Sequence, residues 1–485
     1  MPVLKSNLAP LCVDLDGTLI RTDLLFESAV RLLRHRPWFV FLLPIWLFRG
    51  KAVLKRNLAQ RVSIDARLLP YDERVLEWLR AEKAQDREIV LATSADESLA
   101  RIVAEHLGLF SRVISSDGRV NLTGERKLEA LRNAFGGNFE YAGDSEVDLE
   151  VWQGCSGAIL VNASAGLTRR VQSRVRVVTT FEKQTGGLKS YLRALRIHQW
   201  AKNILVFVPL VTSHQFIHGT LVLRATIGAV LLSLCSSAQY VLNDLVDLDA
   251  DRRHPIKKKR PFASGALPIQ SGIALSAGLL AASVVTAWFA SHLLAALLCT
   301  YFVVSLSYSL YLKKILLLDV FLLSGLYTFR IILGHVVVGV DFSVWLVSFS
   351  LFLFISLAFC KRMAELQILA RSGNKIAGRG YEVTDASQVN IFGICSAFLA
   401  AVVFILYLQS DKVRELYRQP QILWLLAPVF LYWMTRTWML THRGKIEVND
   451  PVLFVLKDPV TYVIGSISGL IMLAATRAWL PPLHW

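Results

Sequence analysis

From residue 203 to residue 477 the chain is a succession of apolar segments, and no other feature limits its possible folds so sharply. Nine can be counted, at 203–217, 220–242, 271–290, 293–311, 315–338, 343–360, 388–408, 421–440 and 460–477. Most have the length a helix needs to cross a hydrocarbon core of about 30 Å. The first is short and contains Pro209. The sequence therefore predicts an all-α membrane bundle of about nine transmembrane helices over residues 196–485. The loops at 243–270, 361–386 and 441–459 and the turn at Lys313-Lys314 hold most of the cations. The opposite turns, near 218, 291 and 339–342, have essentially none, and 409–420 is a minor exception with Lys412, Arg414 and Arg418. Cationic loops stay on the cytoplasmic side. That rule places these loops and the N-terminal domain in the cytoplasm and the C-terminus on the other side of the membrane.

One loop is unusual. The segment ending at Leu242 runs directly into Asn243-Asp244-Leu-Val-Asp247-Leu-Asp249-Ala-Asp251, followed by Arg252, Arg253, Lys257, Lys258, Lys259 and Arg260. If the helix continues, Asn243, Asp247 and Asp251 recur every four residues and share one face. Asp244 and Asp249 point elsewhere on the wheel. A topology signal explains the lysines and arginines but not acids against the membrane, where uncompensated carboxylates are costly. Oxygen ligands converging from one helix face suit Mg²⁺, which also takes phosphate oxygens from a substrate. The reading is a diphosphate site at the cytoplasmic mouth of the bundle.

Composition agrees. The 485 residues are 54% hydrophobic, and 53 basic against 37 acidic residues leave a net charge of +16. With the cations in loops between apolar runs, that balance fits membrane orientation and anionic substrates, and no nucleic-acid-binding signature appears. The six cysteines lack close spacing and mostly lie in apolar context, which predicts buried reduced thiols without a disulfide framework or thiolate metal site. The N-terminus shows no signal peptide.

The first two hundred residues differ in pattern. Leu11-Cys12-Val13-Asp14-Leu15-Asp16-Gly17-Thr18 reads as a strand ending in two acids and a glycine. Glu88 to Ser94 is a strand ending in the hydroxyls Thr93 and Ser94, Lys127 opens a helical stretch, and Tyr141-Ala-Gly143-Asp144-Ser145-Glu-Val-Asp148 is a third strand end with acids. Strands alternating with helices predict a doubly wound α/β sheet, whose chemistry lies beyond the carboxyl ends of its strands. These four pieces, in this order over about residues 8–165, resemble the haloacid dehalogenase superfamily, mostly phosphatases. The resemblance implies Asp14 as nucleophile and Asp16 as general acid, then base. It also implies Thr93, or its neighbour Ser94, on the phosphoryl group, Lys127 neutralising charge, and Asp14, Asp144 and Asp148 around Mg²⁺.

Between the first two pieces lies an insertion at about 22–82, too long for a loop, which predicts a helical cap. Within it, Pro37 to Phe48 is apolar, too short to span, and flanked by Arg31, Arg34, Arg36, Arg49 and Lys51. It reads either as an interfacial segment resting on the membrane or as a buried cap helix. The phosphatase-like domain is expected over 1–170, with a linker at 171–195.

On the predicted cytoplasmic side stand Gln199-Trp200-x-Lys202-Asn203, the acidic stretch through Asp251-Arg252-x-His254-Pro255-x-Lys257-x-x-Arg260-Pro261, Tyr308-Ser309 with Lys313, and Lys361-Arg362-x-x-Glu365. Together these resemble the UbiA superfamily of intramembrane prenyltransferases over nearly all of residues 190–480, and more narrowly its decaprenyl-phosphate phosphoribosyltransferase branch. That branch implies transfer of 5-phosphoribose from phosphoribosyl diphosphate to a polyprenyl phosphate. Aromatic prenyltransferases of the superfamily usually carry a second Asp-x-x-x-Asp where this chain has Lys361-Arg362-x-x-Glu365, and cations there suit two phosphate-bearing substrates. The resemblance implies Mg²⁺ on Asn243, Asp247 and Asp251. It implies Lys257, Arg260, Lys361 and Arg362 on the acceptor and the ribose phosphate, and Lys202 and Lys313 at the donor site, with Asp244 as a further substrate-binding residue and a weaker metal-ligand candidate. Tyr308 is either a donor contact or an interface anchor, and His254 lies in a turn with no catalytic role. The alternatives are a prenyltransferase with an aromatic or other acceptor, and a membrane scaffold or transporter with a phosphatase-like regulatory domain.

Overall fold

The computed structural model describes residues 8–182, 186–372, 380–445 and 458–476. Its contacts divide the chain into two units, residues 1–196 with 240–278, and residues 197–239 with 279–485.

The first unit is built on six parallel strands: β1 (Leu11–Val13), β2 (Ile89–Asp96), β3 (Arg112–Ser116), β4 (Glu140–Gly143), β5 (Gly157–Val161) and β6 (Val177–Phe181). Their order is β3-β2-β1-β4-β5-β6. Alternation along the strands creates two cores. Leu11, Val13, Ile89 and Leu91 face one layer, while Cys12, Val90 and Ala92 face the other. Both faces are covered by helices, as an all-parallel sheet requires. β6 lies within the stretch read as a linker and pairs with β5, Val161 opposite Phe181.

Between β1 and β2 run α1 (Leu24–His35), α2 (Leu42–Phe48), α3 (Lys51–Ala59) and α4 (Glu73–Ala84). Asp23 caps α1 by accepting from Leu25 N at 2.8 Å, and Asp72 caps α4 through Arg74 N. α4 belongs to the sheet layer, since Val75, Leu76 and Leu79 join the core of Ile89 and Leu91. The cap proper is α1 to α3, held by Leu32, Trp46, Leu54 and Leu58. Its Pro37–Phe48 stretch buries Trp46 but leaves Trp38, Phe41, Ile45, Leu47 and Phe48 exposed, Phe48 at 93%. A buried helix would not do that. α5 (Glu97–Leu107), α6 (Glu125–Phe135), α7 (Leu149–Gln153) and α8 (Ala165–Gln172) complete the α/β layers, and α9 (Leu188–Leu195) follows.

The remaining helices are α10 (Val208–Thr212), α11 (Gly219–Val246), α12 (Leu248–Arg253), α13 (Ile269–Ala290), α14 (His292–Leu310), α15 (Leu318–Val338), α16 (Val344–Ser372), α17 (Ala386–Leu408), α18 (Asp411–Leu416), α19 (Leu426–His442) and α20 (Pro459–Thr476). Among the described residues seven are long and apolar enough to cross a membrane: α11, α13, α14, α15, α16, α17 and α20. This corrects the expected nine. Segment 203–217 forms 3₁₀ turns over Ile197–Phe207 and then only α10, with Pro209 in its first turn. Segment 421–440 likewise begins as the 3₁₀ turn Pro420–Leu425, and α19 then reaches only 17 residues. Proline lacks the N–H that an upstream turn would need, so a helix starts at it rather than running through it.

The six cysteines are free. Cys12, Cys235 and Cys360 are buried and Cys155 is half-buried, whereas Cys299 and Cys395 lie on exposed faces of membrane helices, contrary to the expectation that they are buried.

Candidate active sites

The ends of β1, β2 and β4 meet where the strand order reverses, and the acidic residues gather there. Asp14, Asp144 and Asp148 each offer an oxygen within 4.8 Å of the others. Asp14 Oδ2 lies 3.1 Å from Lys127 Nζ, and Leu15 N donates to its other oxygen at 2.8 Å. Lys127 also donates to the Tyr141 hydroxyl at 2.8 Å, which in turn donates to Asp148 Oδ1 at 2.8 Å. Asp148 is further held by the backbone N–H of Asp144 and Ser145 and by the Ser145 hydroxyl. Gly17, at φ +77°, brings its backbone against Asp144, where a Cβ would stand 2.2 Å from Oδ2.

Electrostatics follow from burial. Desolvation, opposed by the Lys127 ammonium and aided by Asp148, pushes the Asp14 carboxyl up to about 6. Desolvation and the neighbouring Asp23 raise Asp16 well above the carboxylate range, which suits a group that must hold a proton to give. Asp144 is raised by burial and by Asp148. Lys127 rises above its ordinary value because the Asp14 and Asp148 carboxylates outweigh desolvation. Three carboxylates crowded this closely beside Lys127 fit a divalent cation, and Asp14, Asp144 and Asp148 would hold Mg²⁺.

The site opens into a cavity of about 1120 Å³. Asp14, Asp16, Lys127, Asp144 and Asp148 line it together with Leu25, Phe26, Val40, Leu43, Leu47 and Leu54 of the cap and with further polar side chains, among them Arg21, Asp23, Lys51 and Gln270. Of the two strand-end hydroxyls, Ser94 lines the cavity. Thr93 is fully buried and accepts from Ala95 N at 3.1 Å, so the expectation that favoured Thr93 is corrected to its neighbour. Lys55, which the sequence reading missed, reaches in from α3. Its Nζ donates to Ser94 O at 2.6 Å, Ser94 Oγ at 3.0 Å and Asn121 Oδ1 at 3.0 Å. Nothing in the sequence sets it apart from Lys51 and Arg56 of the same helix.

The acidic stretch also packs in this unit, through Val241, Leu245 and Leu248 against Val30 of the cap. α11 ends at Val246 and α12 begins at Leu248, yet Asp247 N donates to Asn243 O at 2.9 Å and Asp251 N to Asp247 O at 2.8 Å. The four-residue stacking of Asn243, Asp247 and Asp251 therefore survives the break. Arginines surround these acids. Asp251 meets Arg260 at 2.7 Å, Asp247 meets Arg34 at 3.4 Å, and Asp244 pairs with Arg196 and Arg260. Among the described residues these carboxylates do not close into a metal-sized cluster like that of Asp14. Lys257 is exposed, and His254 Nδ1 accepts from Ile256 N and Lys257 N, shaping the turn.

In the second unit Arg362 is buried between Asp319, at 2.7 Å, and Glu365, with the Tyr308 hydroxyl beside it. Tyr381 donates to the other Asp319 oxygen at 2.7 Å. Lys202 Nζ lies 5.8 Å from the Tyr327 ring centre, while Lys313 and Lys361 are half-buried. Two buried charges here went unread. Asp319 opens α15, and Arg330 sits mid-helix, donating to Asn203 Oδ1 and the Tyr301 hydroxyl, both at 3.0 Å. Single charges within apolar runs were their signal.

Comparison with known proteins matches residues 204–447 to the UbiA prenyltransferase family and residues 11–152 to the haloacid dehalogenase-like hydrolases. The uncharacterized protein y4nM of Sinorhizobium fredii is 37% identical over 462 residues, 94% of this chain and 89% of its own. A decaprenyl-phosphate phosphoribosyltransferase of Mycolicibacterium smegmatis is 31% identical over 230 residues, covering 46% of this chain and 72% of that protein. A UbiA homolog from Archaeoglobus fulgidus, solved bound to GPP and Mg²⁺, covers 59% of this chain and 98% of its own at 15% identity, with a TM-score of 0.44.

Proposed function

The chain belongs to the UbiA prenyltransferase family and carries a haloacid dehalogenase-like hydrolase domain ahead of it, and on that premise we propose a two-step enzyme of lipid-linked ribose synthesis. The membrane domain transfers 5-phosphoribose from phosphoribosyl diphosphate to a polyprenyl phosphate. The hydrolase domain then removes the 5-phosphate from the lipid-linked product. Both sites face the cytoplasm, and one chain holds the intermediate near its second site.

In the first step an oxygen of the lipid phosphate bonds to the ribosyl carbon as the bond to diphosphate breaks, through an oxocarbenium-like state. Asn243, Asp247 and Asp251 would hold Mg²⁺, which supplies charge neutralisation for the departing diphosphate. Lys202, Asp244, Lys257, Arg260, Tyr308, Lys313, Lys361 and Arg362 are the substrate-binding set. The phosphoribosyl specificity draws on Lys361-Arg362-x-x-Glu365 and on the partial similarity to decaprenyl-phosphate phosphoribosyltransferases.

In the second step Asp14 attacks phosphorus and forms an aspartyl-phosphate. Asp16 gives its proton to the ribose oxygen as that bond breaks, then takes one from the water that releases phosphate. Lys127 balances charge on Asp14, and Ser94, which lines the cavity, binds the phosphoryl group. The observation that carries a lipid substrate is the cavity, which joins the acidic cluster to apolar side chains of the cap and is far larger than a phosphate needs. The exposed aromatic face of Pro37–Phe48, flanked by arginines, suits contact with the membrane surface from which such a lipid comes. In reconstituted protein, Asp14→Asn should accumulate the phosphorylated ribosyl lipid. Unchanged release of inorganic phosphate would remove the hydrolase domain from this step.

A further inference from the structure

α1 and α12 meet through a set of charges that neither reaction uses. Glu27 is fully buried and accepts from the Thr22 hydroxyl at 3.0 Å, Arg31 Nη1 at 2.5 Å, and Arg252 Nη1 and Nη2 at 3.1 and 2.5 Å. Arg31 gives its other nitrogens to Asp249, Nε at 2.9 Å and Nη2 at 2.6 Å, a bidentate pair. Arg252 Nε donates to Ala263 O at 3.0 Å. One turn further along α1, Arg34 donates to Val246 O at 2.9 Å and approaches Asp247. Glu27, Arg31, Asp249 and Arg252 thus form a neutral quartet across residues more than two hundred positions apart.

Exposure decides what such a quartet does. Ion pairs on a wet surface contribute little. Here the side chains of Glu27, Arg252 and Arg31 are 0%, 5% and 7% exposed. Buried charges are tolerated only in fixed, well-bonded geometry, and removing one strands its partner. Both ends of the quartet touch chemistry. On the phosphatase side, Leu24 N at the start of α1 donates to Asp16 Oδ1 at 2.9 Å. On the other side, Asp249 and Arg252 lie on α12 with Asp251, and Asp247 stands at the N-cap position of that helix.

We infer that Glu27, Arg31, Asp249 and Arg252 are positioning residues for the transferase, a buried clamp by which the phosphatase cap fixes the helical turn presenting Asp247 and Asp251. The inference rests on the proposed role of those two carboxylates as holders of the donor's Mg²⁺. It gives the hydrolase domain a second task besides its own reaction, as scaffold for its neighbour's metal ligands.

The test uses the full-length protein in lipid bilayers. Asp249→Asn keeps shape, lies at the half-exposed edge of the quartet and releases Arg31. Residues that orient metal ligands typically change metal affinity by about 10–100-fold. The half-saturating Mg²⁺ of phosphoribosyl diphosphate consumption should therefore rise at least about tenfold, while hydrolysis of a small soluble phosphomonoester is unchanged. Unchanged Mg²⁺ dependence in Asp249→Asn and in Arg252→Gln would overturn the inference. Amide hydrogen exchange over residues 244–256 separates this from the functional reading. If wild type consumes no phosphoribosyl diphosphate, that reading fails, and the clamp then stands on faster exchange in Asp249→Asn and falls on unaltered exchange.

Discussion

Gly17→Ala separates the cost of a substitution to the fold from its cost to the chemistry. Gly17 has φ +77°, and an added Cβ would stand 2.2 Å from Oδ2 and 2.6 Å from Cγ of Asp144. The left-handed backbone costs an L-residue about 1–2 kcal/mol. For a unit of this size, each kcal/mol lowers Tm by roughly 2–4 °C. The collision is of another kind. Asp144 is a short side chain at a strand end and can rotate aside, so the fold survives it. The carboxylate then leaves the group whose oxygens lie within 4.8 Å, and losing a ligand orientation weakens metal binding by about 10–100-fold. The variant should melt a few degrees lower, keep its transferase activity, and need far more Mg²⁺ for phosphomonoester hydrolysis. Thermal unfolding and a Mg²⁺ titration of hydrolysis measure both. A lowered Tm with wild-type Mg²⁺ dependence would refute the placement of Asp144 as a ligand.

Two further outcomes are expected. Ser94→Ala should lower the rate of phosphate release on the order of 10²-fold, the usual cost of a lost transition-state donor, whereas Thr93→Ala should affect stability and leave the rate near wild type; the reverse pattern in the two rates would restore Thr93. Asp14 is held up to about 6, so metal must displace its proton, and half-saturating Mg²⁺ should rise about tenfold per unit as pH falls below 6. The sign for metal-free stability is opposite. A carboxyl raised in the folded state adds stability below the ordinary aspartate range, and that is lost as pH rises through about 6. A Mg²⁺ requirement that is flat from pH 5 to 7 contradicts the assignment.

The hydrolase site was legible because its chemistry lies at strand ends, where alternation and local turn chemistry speak together. Asp14, Lys127, Asp144 and Asp148 stand together at these strand ends. The choice between Thr93 and Ser94 was not legible. β2 pairs with β3 through a register shift between Ala92 and Asp96, so counting alternate residues along the strand loses its parity there. Strand β6 was obscured because Val177–Phe181 lies among arginines on a sheet edge and buries little. Helices that fall short at Pro209 and in α19 still look like spans to a hydropathy count, which sees apolarity but not where helical hydrogen bonding begins. Least legible were contacts between distant residues. Arg31 with Asp249 and Lys55 with Asn121 need the folded chain, and the acidic stretch read as a membrane-helix mouth proved also to be packed by the cap of the hydrolase-like domain.

The most direct test follows the ribosyl group itself. Full-length protein in bilayers containing polyprenyl phosphate would be given Mg²⁺ and phosphoribosyl diphosphate labelled in the ribose, and the lipid products weighed by mass spectrometry. The account predicts a ribose-bearing lipid, released diphosphate, and, in Asp14→Asn, the same lipid heavier by one phosphate. Label that stays water-soluble while a prenyl diphosphate is consumed would contradict it.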